Sequence, residues 1–197
     1  MSSAKLSPDQ VYAFVMRGLL AEQALENVGA KRRMGIHAGV DESTAKALSV
    51  ELLDAELVAK ARKMAIVYTS IAAFENSVRD LVADVLLEKA EEDWWSKCVS
   101  KKIRDKAETR RKEEARYRWH ASRGYEPLQY TDFGDLGNII QQNWPFFEPH
   151  FQSVSWVQNI FDVLERSRNV IMHSGELDDA DVDRIGINIR DWVKQVG

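Results

Sequence analysis

Ile66-Val-Tyr-Thr-Ser-Ile71-Ala-Ala-Phe74-Glu75-Asn76-Ser77-Val78-Arg79-Asp80-Leu81-Val82-Ala-Asp-Val85-Leu86 is the stretch that decides the fold class. Ile66, Ile71, Phe74, Val78, Leu81, Val82, Val85 and Leu86 recur mostly at three- and four-residue steps, the period of a helix with one face in a core. Neither glycine nor proline occurs between Val40 and Arg123. Such a span favours continuous helix over a sheet, whose turns need those residues.

Working upstream, Leu48, Leu52, Leu53 and Leu57 read as a short helical stripe. A loop from Gly29 to Gly39 precedes it, and a first helix spans Pro8 to about Val28, with Ser7 as N-cap and Gly29 closing it. Downstream, a break is expected at Glu91-Glu92-Asp93, then a charged helix from Trp94-Trp95 to about His120, and a loop from Gly124 to Thr131. A helix opens at Asp132 and stops before Pro145. Another runs from about Ser153 to Ser174 with Gly175 as its C-cap, and a last one opens at Asp178. The expected architecture is all-α: a helical bundle over residues 58–197 with an N-terminal helical extension over 1–57.

The chain has 197 residues, 45% of them hydrophobic, enough to fill one core. A net charge of −4 argues against a generally basic nucleic-acid coat but leaves room for a local basic patch. Cys98 is the only cysteine, so no internal disulfide or multi-cysteine metal cluster can form. The N-terminus lacks the apolar run of a secretory signal, and no apolar stretch is long enough to span a bilayer. The expectation is a cytoplasmic protein with no membrane partner, no cofactor and no metal site.

The candidate chemistry lies in Arg168-Asn169-Val170-Ile171-Met172-His173. A histidine titrates near neutrality and can take a proton from a ribose 2′-hydroxyl or give one to a leaving oxygen. An arginine stays charged and can hold a phosphate in a two-pronged grip. Spacing alone is a weak sign, because Arg32 and His37 have the same separation. It fits equally well a surface ion pair and a histidine at a helix end. On a helical wheel Arg168 lies beside the face of Ile160, Leu164 and Ile171, while Asn169 and His173 share the opposite side. A composite site is therefore easier to form between two copies of this helix.

These residues, with their neighbours, resemble the HEPN domains. Arg168, Asn169 and His173 match that family's arginine–polar–histidine motif. Asp132-Phe-Gly-Asp-Leu-Gly-Asn-Ile-Ile140, Asn143-Trp144 and Glu165 to Gly175 are similar to its Swt-like branch, and Phe74 to Arg79 resembles that branch's first conserved helix. The resemblance covers roughly Val58 to Lys194. It implies a homodimer formed through the motif helices and a metal-independent endoribonuclease that leaves a 2′,3′-cyclic phosphate. The setting it suggests is a toxin or antiviral effector, with a cognate antitoxin or regulatory protein as a further partner. Members without activity serve instead as RNA- or nucleotide-binding or dimerisation modules. Arg168, Asn169, His173 and Glu75 form the candidate catalytic set; Glu75 either orients Arg168 or His173 or pairs with Arg79 four residues on.

A second feature is the basic segment from Lys101 to Arg123, with ten basic and four acidic residues and with Tyr117, Trp119 and His120 interleaved. Lys101, Lys102, Arg110, Arg111, Lys112, Arg116 and Arg118 are the candidate RNA contacts, since cations engage phosphates and aromatics stack on unpaired bases. The same pattern fits a solvated helix whose Glu108, Glu113 and Glu114 neutralise it.

Overall fold

A computed structural model of the chain describes residues 42–117 and 119–196, and every regular element among them is helical. The first expected helix, the loop after it with Arg32 and His37, and Arg118 lie outside the described residues. The chain divides into two compact units, one ending at Val58 and the other beginning at Ala59.

In the first unit the leucine stripe does not form. Leu48 lies in a turn, residues 50–52 make a single 3-10 turn, and Leu48, Leu52, Leu53 and Leu57 are all exposed. Helix α1 (Ala55–Ala90) starts only after Asp54, whose carboxylate accepts from the Glu56 and Leu57 N–H groups at 3.0 Å. That cap satisfies two of the donors left open at a helix start.

The second unit is built on α1, which buries Met64, Val67, Ile71, Phe74, Glu75, Val78, Val82, Val85 and Leu86. Ile66 is 72% exposed, against the expected stripe. The five-residue step from Ile66 to Ile71 turns it about 140° away from the core face, and Met64 and Val67 take its place. Leu81 is half-buried at the edge.

A 3-10 turn at Glu91–Asp93 breaks the chain as expected. In place of one charged helix the chain then forms two, α2 (Trp94–Cys98) and α3 (Lys101–Glu114), with buried, extended Val99 between them. Helix α3 therefore ends six residues short of His120. Its sequence beyond Glu114 has no apolar step to pack, and Tyr117 and Trp119 are 58% and 83% exposed.

Asp132 caps α4 (Phe133–Gln142) by accepting from the Asp135 N–H at 2.9 Å. Pro145 sits in the first turn of a further short helix, α5 (Trp144–Phe147), a position proline tolerates. Asn143 ties this corner together, its amide donating to the Cys98 and Ile139 carbonyls at 2.8 Å each. Helix α6 (Val154–Met172) packs on α4, where Gly137 brings the backbones together: a Cβ there would lie 3.3 Å from the Phe161 ring. Helix α7 (Asp179–Val196) inserts Trp192 among Phe74, Phe151, Trp156 and Phe161, with ring centroids 4.7–6.0 Å away. Each such buried ring contributes about 1.5–3 kcal/mol through burial alone, which makes this aromatic cluster the centre of the unit.

Candidate active site

Helix α6 carries Arg168 toward α1 and His173 to its own C-terminal end. The end is built as a Schellman turn: the Ser174 N–H reaches the Ile171 carbonyl at 2.9 Å and the Gly175 N–H the Val170 carbonyl at 2.8 Å. The left-handed residue is Ser174 (φ 60°), not the expected Gly175. Glycine is needed one position later because a Cβ at 175 would meet the Val170 carbonyl oxygen at 2.9 Å. The loop beyond is held by Leu177, which is buried and donates its N–H to the Met64 sulfur at 3.3 Å. His173 thus occupies a defined C-cap position, with its side chain exposed and its backbone N–H shared between the Asn169 and Val170 carbonyls.

Arg168 is half-buried. Its Nη1 donates to Glu75 Oε2 at 3.1 Å, and its guanidinium lies over the Phe133 ring, 5.8 Å from the centroid. The other oxygen of Glu75 accepts from Arg79 Nη2, which also donates to the Thr131 carbonyl at 2.9 Å. Glu75 therefore engages both arginines at once, and its 7% exposure makes this a buried clasp between α1, α6 and the segment leading into α4. Burying a carboxylate is tolerable only with such partners. The remaining prong of Arg168 is loosely held: Nη2 lies 3.5 Å from Asn169 Oδ1 and 3.9 Å from Glu165 Oε1.

The structure thus brings Arg168 onto Glu75, with Asn169 at the 3.5 Å edge of hydrogen-bond reach of Arg168. His173 lies five residues on at the C-cap of the same helix, about 140° further round its axis, without a side-chain partner among the described residues.

Glu165 faces a cleft it shares with Lys106, Asp132, Asn138 and Gln142. Burial pushes its carboxyl above the usual range, and the charge of Asp132 adds to the rise, while Arg168 and Lys106 oppose it.

The basic segment divides by face. Ile103 and Ala107 are buried against the bundle, and Arg110 comes with them. Arg110 donates to the Tyr130 carbonyl and Asp132 Oδ2 at 2.6 Å and to Asp135 Oδ2 at 3.0 Å; Lys106 reaches both aspartates at 3.0 Å. Burial alone would raise the Asp132 carboxyl, but Arg110, the Asp135 N–H and Lys106 together hold it far below the ordinary carboxylate range. Burial would lower Arg110 and Lys106, yet their aspartate partners hold both above their usual values. Arg110 is thus committed to acids of its own chain. Arg111 and Lys112 share Glu108 on the outer surface, while Lys101, Lys102 and Arg116 are exposed.

Sequence reasoning misses this second network. Its signal is the Lys106–Arg110 pair on one helix face and the Asp132–Asp135 pair at one helix start, each of a single sign.

A family model described as Swt1-like HEPN matches residues 70–197, about two-thirds of the chain. No curated protein matches the chain, and no solved structure does. Among the described residues no helix is long and apolar enough to cross a membrane.

Proposed function

The chain belongs to the Swt1-like HEPN family, and on that premise we propose that it is a metal-independent endoribonuclease acting as a homodimer. The observation that carries this reading is the half-anchored Arg168. One prong is fixed by buried Glu75 at 3.1 Å, and the other has no partner closer than 3.5 Å. An anchored guanidinium with a free edge is pre-organised for a phosphate, since little rotamer freedom remains to be lost.

In the proposed reaction His173 takes the proton of a ribose 2′-hydroxyl. The 2′-oxygen attacks the adjacent phosphorus, the bond to the 5′-oxygen breaks, and that oxygen receives a proton. The products are a 2′,3′-cyclic phosphate and a 5′-hydroxyl. His173 of a second copy supplies the leaving-group proton, and Arg168 stabilises the negative charge on the phosphoryl oxygens. Asn169 positions the phosphate, and Glu75 positions Arg168 rather than touching substrate. Val170 and Met172, 40% and 61% exposed, flank this surface and offer apolar area to the second copy.

Lys101, Lys102, Lys112 and Arg116 would steer the RNA; Arg110, tied to Asp132 and Asp135, would not. The setting we propose is a toxin or antiviral effector restrained by a cognate partner.

The test is cleavage of RNA by the purified chain with chelator present, with the new ends identified. Cyclic phosphate ends that vanish in His173→Ala support the reading. RNA binding without cleavage would instead identify a non-catalytic binding module.

A further inference from the structure

The outer face of α3 forms one wall of a groove of about 470 Å³ with Trp95 of α2 and Pro127 at its other sides. The volume falls in the usual range for small-ligand clefts, roughly 300–1,000 Å³. Lys101, Arg104, Asp105, Glu108 and Arg111 line it. Their commitments differ. Arg111 holds Glu108 through two hydrogen bonds, at 2.9 and 3.1 Å, so that pair is spent. Lys101 and Arg104 have no hydrogen-bond or ion-pair partner among the described residues, and the Arg104 Nε is occluded from solvent with no acceptor. Only that nitrogen is shielded, so it is the terminal nitrogens of half-buried Arg104 that stay open to an acceptor in the groove. The uncommitted charge is two cations against Asp105. Trp95, half-buried against the core and edge-on to Trp94, adds a fixed aromatic surface.

We infer that this groove seats one nucleotide of single-stranded RNA, its base stacked on Trp95 and its phosphate held by Arg104 and Lys101. The inference rests on the proposed action on RNA and adds a subsite apart from Arg168 and His173. An unpaired base suits the groove because stacking on an aromatic ring is indifferent to base identity, while a guanidinium supplies the phosphate contact. The subsite would anchor the strand without reading its sequence.

The test uses the full chain and a fluorescein-labelled 2′-O-methyl oligouridine, which lacks the 2′-hydroxyl needed for cleavage, with anisotropy followed against salt. Arg104→Gln should weaken binding about fivefold or more and flatten the log–log salt slope by about 0.7, the value of one single-strand phosphate contact. Lys101→Gln should act in the same direction. Trp95→Leu should weaken binding roughly tenfold with the slope unchanged, and Trp95→Phe should restore most of it. Arg104→Gln should melt no lower than wild type, which separates lost binding from lost folding. Arg62→Gln on α1 is the charge-matched control and should bind like wild type. If Arg104→Gln and Lys101→Gln bind like that control, the subsite is wrong. The RNA reading survives in that case provided replacing Lys102, Lys112 and Arg116 together abolishes binding. If wild type binds no oligouridine, both readings fall. If a polyglutamate peptide displaces the oligonucleotide at equal charge concentration, the groove serves an acidic protein segment and the nucleotide assignment fails.

Discussion

Where Lys106 and Arg110 meet Asp132 and Asp135, two cations face two carboxylates; where Arg79 and Arg168 meet Glu75, two guanidiniums share one. Both clusters join helices distant in sequence, and both hold charge out of water. The first is balanced and each acid is gripped twice, which is what a mechanical clamp between α3 and the start of α4 requires. The second keeps a surplus positive charge near the C-terminal end of α6, where the helix dipole favours a cation. Glu165 stands between them, but its carboxylate lies 3.9 Å from Arg168 Nη2, a longer contact than the 3.1 Å bond from Arg168 to Glu75. A surplus of positive charge held in place is a device for receiving an anion, and a closed balance is not. Two arginines equally basic in the sequence therefore stand in different charge settings, and under the proposed function only Arg168 would meet a phosphate.

The largest effect that can break this contrast is catalytic. His173→Ala should lower RNA cleavage about a hundred- to ten-thousand-fold, the range for a positioned acid or base, with the melting temperature unchanged because the side chain is exposed. Adding Arg168→Ala should lower it little further, as expected of residues acting on one phosphate. Additive losses, measured as single-turnover rates, would mean that the two act separately.

Next in size is the clasp itself. Glu75→Ala leaves Arg79 and Arg168 without their buried acid and should cost about 3 kcal/mol in urea unfolding. A loss within measurement error would show that the clasp carries little of the fold.

The clamp should give a smaller effect with a pH signature. The Asp132 carboxyl is lowered in the folded state, so its contribution is present above the ordinary carboxylate pKa of about 3.9 and is lost as pH falls through the lower folded value. Asp132→Asn should cost about 1 kcal/mol near neutrality, solvent screening keeping the figure small. Its unfolding curve should converge on that of wild type as pH drops from about 5 toward 2. Curves that stay parallel would remove Asp132 from the clamp.

Smallest of all, Lys112→Ala on the outer face of α3 should leave the melting temperature unchanged, because its contact with Glu108 at 3.5 Å is open to water.

The helical class is legible in the sequence because α1 carries its apolar residues at helical steps over a span without glycine or proline. Ile66 shows the limit: a single five-residue step rotates a side chain off the core face, and a list of apolar residues does not register that. The leucine stripe at 48–57 fails for a related reason, since no single helix joins Leu48 to Leu57 to convert spacing into a face. At the site, the sequence leaves Glu75 with two candidate partnerships, Arg79 or the motif; the folded chain has it touching both arginines. Arg110 reads as an RNA contact because basic residues on a helix look alike in sequence. Its acids lie 22 and 25 residues downstream, across a helix-to-helix contact that local periodicity does not encode.

The proposed division of labour is that the surplus charge at Arg168, not the balanced charge at Arg110, serves RNA chemistry. Its most direct test compares cleavage of one RNA, with chelator present, by wild type, Arg168→Ala and Arg110→Ala at a temperature where circular dichroism shows all three folded. Wild type should cleave, Arg168→Ala should lose at least about a hundredfold, and Arg110→Ala should change by less than about threefold. Equal cleavage by wild type and Arg168→Ala, or loss confined to Arg110→Ala, would contradict it.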